Sequence, residues 1–104
     1  MSGNWFQTTL YLPQYPGEFI REVYLDELEV SSRTVAAKLK VSPSTFNRLL
    51  NGKSSISPEM AMRLSKTLGR SPESWLAMQN SYDLWQLQKR RTFDEVERLD
   101  FVTQ

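Results

Sequence analysis

Cysteine and histidine are both absent from this chain of 104 residues. Without thiols there is neither a disulfide framework nor a thiolate nucleophile, a composition that suits a reducing cytosol. The missing imidazole removes Ser-His-Asp and Cys-His machinery, zinc sites of the usual kind and any proton shuttle that titrates near neutral pH. Catalysis would have to rest on carboxylates, Lys, Tyr or Arg, so the composition argues against an enzyme, and no cofactor, metal or small-molecule substrate is expected. Long apolar runs are missing too. No stretch approaches the ~20 residues that cross a bilayer, and the N-terminus lacks the basic-then-apolar layout of a signal peptide. A cytoplasmic protein with no membrane partner is the expectation.

Hydrophobic residues at 39% with 12% aromatics describe an ordinary globular chain, with room for one domain and an arm. The net charge of +1 hides three unlike blocks. Residues 1–30 set Arg21 against five acids, for −4. Residues 31–70 set eight basic side chains against Glu59 alone, for +7. Residues 71–104 carry four basic and six acidic side chains, for −2. A concentrated basic block in a near-neutral chain is the footprint of a polyanion-binding face. It also fits a solvated helical surface, and the helices must decide between the two.

Helix starts and stops are written plainly. Ser42-Pro43, Ser57-Pro58 and Ser71-Pro72 each pair a capping serine with a proline suited to the first helical position. Asn51-Gly52 and Gly69 mark stops, because glycine takes the left-handed conformation past a helix end without a Cβ penalty. Five or six helices and no confident strand follow. The first is predicted over 16–28, with Phe19, Ile20, Val23, Tyr24 and Leu28 on one stripe; the second over 33–40 buries Val35, Ala36 and Leu39. A third over 43–51 turns Phe46, Leu49 and Leu50 inward and Ser44, Thr45, Asn47, Arg48 and Asn51 outward. The fourth, over 58–68, repeats Met60, Ala61, Leu64 and Leu68 at helical steps. The fifth, from Pro72, carries Trp75, Met78, Tyr82 and Trp85 at seam spacing. Beyond Arg91, Thr92-x-x-Glu95 either starts a separate helix or lies within the preceding one.

The second and third helices are separated by about three residues, the spacing of a helix-turn-helix unit. A helix of two turns, apolar on one side, can rest on the domain while its other side enters a major groove about 12 Å wide. Asn47 suits the N6/N7 edge of adenine, and Arg48 the O6/N7 edge of guanine or a phosphate. Ser44 and Thr45 suit base edges, a thymine methyl or phosphate oxygens. The first N–H groups of the helix, Ser42, Lys53, Ser54 and Ser55 suit the phosphate backbone.

The stretch "SRTVAAKLKVSPSTFNRLLN", Ser32 to Asn51, resembles the helix-turn-helix of phage-repressor (Xre/Cro-like) domains. That resemblance places Arg33, Ser42, Ser44, Thr45, Asn47, Arg48 and Lys53 where DNA contacts are common. It departs at Lys40, a turn position that the family usually fills with glycine. A longer match, through "PGEFIREVYLDELEVS" and "SPEMAMRLSKTLGRSPESWLAMQNSYDLWQ", resembles the HigA-type antitoxins, whose genes pair with a small ribonuclease toxin. The fold implied is all-α, a compact five-helix lambda-repressor-like domain with a flexible N-terminal arm and a long C-terminal helix. The function implied is autoregulation: a homodimer binds a palindromic operator while the same protein sequesters its toxin.

Three segments result: an arm over 1–15, a DNA-binding domain over 16–91 and an extension over 92–104, helical or frayed. A single small domain makes few phosphate contacts, so a dimer on two half-sites is expected. Met78, Tyr82, Trp85 and Leu87 are the candidate dimer interface. The aromatic-rich arm either folds back on the domain or orders on a partner, and Trp5, Phe6, Leu10, Tyr11 and Leu12 are the candidate toxin-binding residues. Two rival functions are a stand-alone phage-type repressor without a toxin and an enzyme built on Asp94, Glu95, Glu97 and Asp100. The basic residues beside those carboxylates read more plainly as a solvated charge pattern.

Overall fold

Each Ser-Pro pair opens a helix in the computed structural model, which describes residues 12–100. Ser42 accepts the Thr45 N–H at 3.1 Å, Ser57 that of Met60 at 3.1 Å and Ser71 that of Ser74 at 3.0 Å. Such caps contribute about 1 kcal/mol each by satisfying first-turn donors that have no partner within the helix. The helices they start are α3 (Pro43–Leu50), α4 (Pro58–Leu68) and α5 (Pro72–Arg90). Before them come α2 (Ser32–Leu39), capped by Ser31, and α1, which runs as an α-helical turn over Pro16–Ile20 and continues as a π-helix over Arg21–Asp26. The described residues thus form five helices and no strand, the all-α architecture expected.

The π-helical stretch changes which residues α1 buries. An α-helical stripe would turn Val23 and Leu28 inward, yet both are exposed, Leu28 by 63%, and Leu25 joins the core instead. In a π-helix the hydrogen bond spans five residues rather than four, so positions five apart share a face. Ile20 and Leu25 are such a pair, and so are Phe19 and Tyr24, whose rings meet edge-on at 6.1 Å. The helix closes with the Val30 N–H on the Leu25 carbonyl at 3.1 Å, with Glu29 at φ 55°.

α1 sits directly on the end of α3. A Cβ on Gly17 would lie 2.3 Å from the Leu49 carbonyl oxygen and 2.5 Å from that of Leu50, so only glycine permits this approach. The core beneath collects Ile20, Val35, Leu39, Phe46, Leu64 and Trp75, each worth about 1.5–3 kcal/mol in transfer free energy.

α5 departs from the expected seam. Trp75 is buried and donates its indole N–H to the Gly69 carbonyl at 2.8 Å, but the next buried residue is Gln79 rather than Met78. The Gln79 side chain accepts the buried Ile56 N–H at 2.8 Å and donates to Asp83 at 3.0 Å. A polar group buried at such a point is tolerated because its hydrogen bonds are made. After Arg90 the chain leaves the helix. No helix forms over 92–100, where the Val96 N–H closes a turn on the Phe93 carbonyl and Arg91 pairs with Glu95 at 2.7 Å. No helix among the described residues is long and apolar enough to cross a membrane.

Candidate nucleic-acid interface

The turn between α2 and α3 depends on Lys40, which stands at φ 64°, ψ 41° in the left-handed region. Its N–H returns to the Ala37 carbonyl at 3.2 Å and the Val41 N–H to Ala36 at 3.1 Å, a Schellman closure that usually employs glycine. α3 ends in the same way, with the Gly52 N–H on Leu49 at 3.1 Å and the Lys53 N–H on Arg48 at 2.8 Å. Gly52 adopts this shape without cost, whereas Lys40 carries a Cβ penalty. The departure from glycine therefore leaves the turn geometry intact. Arg63 of α4 braces it, donating to the Leu39 carbonyl at 2.8 Å and the Lys40 carbonyl at 3.4 Å while Glu59 holds its guanidinium at 2.8 Å.

With that turn set, α3 presents the face expected. Phe46, Leu49 and Leu50 are buried, while Ser44, Thr45, Asn47, Arg48 and Asn51 are exposed. Ser42 spends its hydroxyl locally, accepting from the Thr45 N–H and donating to the Thr45 hydroxyl at 2.9 Å. Arg48 reaches back to the Lys53 carbonyl at 3.4 Å, which places its guanidinium beside the loop that follows the helix. Lys53 and Ser54 lie exposed on that loop, and Arg33 is exposed in the first turn of α2. The loop is anchored from below by the hydrogen bond from Ile56 to Gln79, so its position relative to α3 is fixed by a buried contact.

The basic block of the sequence does not reach this face whole. Arg63 is committed to the turn, and Arg70 covers the rings of Phe19 and Trp75 at 5.2 and 5.5 Å to their centroids. Conversely, Arg21, the one cation of the acidic block, donates to the Leu50 carbonyl at 3.4 Å and the Asn51 side chain at 3.1 Å, where a cation complements the helix C-terminus. No local sequence signal announces that Arg21, Arg63 and Gln79 also reach Asn51, Leu39 and Ile56, which lie 23 to 30 residues away.

Of the arm residues singled out, only Leu12 is described, and it is exposed; Trp5, Phe6, Leu10 and Tyr11 lie outside the described residues. Met78, Tyr82, Trp85 and Leu87 are all half-buried on α5. The Tyr82 ring meets Tyr15 edge-on at 5.8 Å and lies tilted against Trp85 at 6.2 Å, and the Lys89 ammonium stands 4.1 Å over the Trp85 ring. Leu87 lies roughly 200° round the helix from Trp85, so the two do not share a face. Leu84, one position before Trp85, is 57% exposed. The four acids of 94–100 are strung along non-helical chain, and among the described residues no three such side chains gather as a metal-binding group would.

Residues 20–75 match the helix-turn-helix family, and the chain belongs to it as an Xre-like member. It is 45% identical over 89 residues to the uncharacterized transcriptional regulator YddM of Escherichia coli K12, covering 86% of this chain and 92% of the relative. Its fold is similar to that of the antitoxin GraA in complex with its operator, with a TM-score of 0.77 and 35% identity over 88% of this chain and 95% of GraA. It is likewise similar to the Pseudomonas aeruginosa antitoxin HigA with the higBA promoter, at a TM-score of 0.74 and 32% identity over 84% of this chain and 98% of HigA.

Proposed function

We propose that this chain is an antitoxin and repressor, which binds a palindromic operator as a dimer through α3 and neutralises a ribonuclease toxin by direct contact. The observation that carries the DNA half is the solvent-facing side of α3 beyond Pro43, where Ser44, Thr45, Asn47 and Arg48 stand above a buried apolar side. Asn47 and Arg48 read base edges, Ser44 and Thr45 line the approach, Arg33, Lys53 and Ser54 meet phosphates that set register, and Ser42 turns its O–H from Thr45 to a phosphate oxygen when DNA binds. Two copies joined through Met78, Tyr82 and Trp85 would carry their α3 helices to half-sites about 34 Å apart. Solved relatives include an antitoxin in complex with its operator and another with its promoter, which supports this reading.

Residues 1–15 act as the toxin-binding arm, 16–91 as the DNA-binding domain and 92–104 as an extension, all in the cytoplasm. A footprint of the DNA upstream of the gene, with and without the product of the adjacent gene, tests the reading directly. Protection of a two-fold symmetric site, lost in Asn47→Ala and Arg48→Ala, is the expected result. Unaltered protection in both variants would remove α3 from the interface. A stand-alone repressor is the second reading, favoured by the relative that is named only as a regulator. It would hold if the neighbouring product neither bound this chain nor lost ribonuclease activity in its presence.

A further inference from the structure

A groove of about 350 Å³ runs between the residues before α1 and the N-terminal half of α5. Phe19 and Met78 give it apolar walls, Ser74 and Ser81 hydroxyl edges, and Arg70 its one charged wall residue. The Arg70 guanidinium lies over two aromatic rings and uses Nε on the Ser74 hydroxyl at 3.1 Å, while its terminal nitrogens make no hydrogen bond within the described residues. Such a groove suits an acidic segment with an aliphatic side chain beside each carboxylate.

This chain contains such a segment. Over 91–100 four acids stand against Arg91 and Arg98, a balance of −2, and Val96 and Leu99 are 66% and 74% exposed. We propose that the groove of one copy receives the tail of a second copy, with Asp94 and Glu97 turned to Arg70 and Val96 seated against Met78. The inference rests on the dimer reading above. Ser74, Ser81 and Trp85 fall on one face of α5 at helical spacing, so the groove continues the proposed dimer surface. If two α5 helices pack antiparallel about a two-fold axis between residues 82 and 85, residue 91 of one lies level with residues 73–79 of the other. The tail therefore emerges beside the groove wall of its partner, and not beside its own, which lies about 20 Å back along the same helix.

The native chain has no cysteine, so disulfide mapping is clean. Chains carrying Ser81→Cys and others of different mass carrying Val96→Cys are mixed under a glutathione redox buffer, with sedimentation run in parallel. The expected product is a mixed covalent dimer, at least fivefold less abundant when the Val96→Cys chain also carries Asp94→Asn and Glu97→Gln, exposed changes that leave the fold untouched. Arg70→Gln in the Ser81→Cys chain should cut the yield likewise. A dimer by sedimentation with no mixed cross-link would overturn the tail exchange while leaving the dimer reading standing. A monomer at every concentration would overturn both. An internal disulfide in a chain carrying both Ser81→Cys and Val96→Cys without the mixed product, or an internal disulfide in a chain carrying Ser81→Cys and Thr8→Cys, would give the groove to the chain's own segments and overturn the proposal.

Discussion

α3 and α5 treat the same problem in opposite ways. α3 hides Phe46, Leu49 and Leu50 and, beyond Pro43, shows only Ser, Thr, Asn and Arg, whereas α5 buries a glutamine and leaves Leu84 in solvent with Trp85 and Met78 half covered. A surface that is polar over a fully satisfied interior favours a hydrated, charged partner, since water and ions must be exchanged and not merely expelled. A surface that leaves leucine and tryptophan open favours burial against protein. Under the proposed function the two helices divide the molecule into a face for nucleic acid and a face for polypeptide, joined by the Ile56 and Gln79 contact between the α3–α4 loop and α5.

The largest expected effect erases the contrast altogether. Gly17→Ala forces a methyl group into the α3 carbonyls, and neither backbone can yield. A loss of about 3 kcal/mol or more follows, which at roughly 4–8 °C per kcal/mol lowers the melting temperature by more than about 12 °C. An unchanged thermal melt would show that α1 does not set the position of α3. Next, Gln79→Leu leaves the Ile56 N–H buried without a partner and should cost about 1–3 kcal/mol. Chemical denaturation reads that loss, and weakened operator binding should accompany it as the loop bearing Lys53 loosens. Asn47→Ala sharpens the division by touching one side only. Specific binding should weaken by about 1–3 kcal/mol while the melt and the self-association measured by sedimentation stay put. Lys53→Ala should leave sequence discrimination alone and reduce the salt dependence of binding by about one unit of slope. The smallest effect has the opposite sign. Lys40→Gly relieves the left-handed strain and should stabilise the fold by about 0.5–1 kcal/mol, read as a modest rise in denaturation midpoint.

What could be read from the sequence was what is encoded within a few residues. Ser42, Ser57 and Ser71 cap donors three positions on, so each helix start was visible in a dipeptide. The two sides of α3 followed from helical spacing alone. Where spacing itself changes, the same logic misleads. α1 advances five residues per face over Arg21–Asp26, so Leu25 replaced Val23 and Leu28 in the core. Long-range polar contacts were equally invisible. The eight cations of 31–70 formed one block on paper, but Arg63 and Arg70 are drawn into bracing contacts, and Arg21 arrives at α3 from the acidic end of the chain. Gln79 reads as an ordinary polar helix residue until the Ile56 N–H is placed against it.

α3 is only eight residues long. A segment that short, cut free, falls below the roughly 12–15 residues at which an isolated helix becomes even marginal in water. A synthetic peptide of Pro43–Leu50 would hold no lasting shape to offer a duplex, whatever its side chains. The portable unit is the bundle, and grafting these specificities elsewhere means transplanting the scaffold along with the letters.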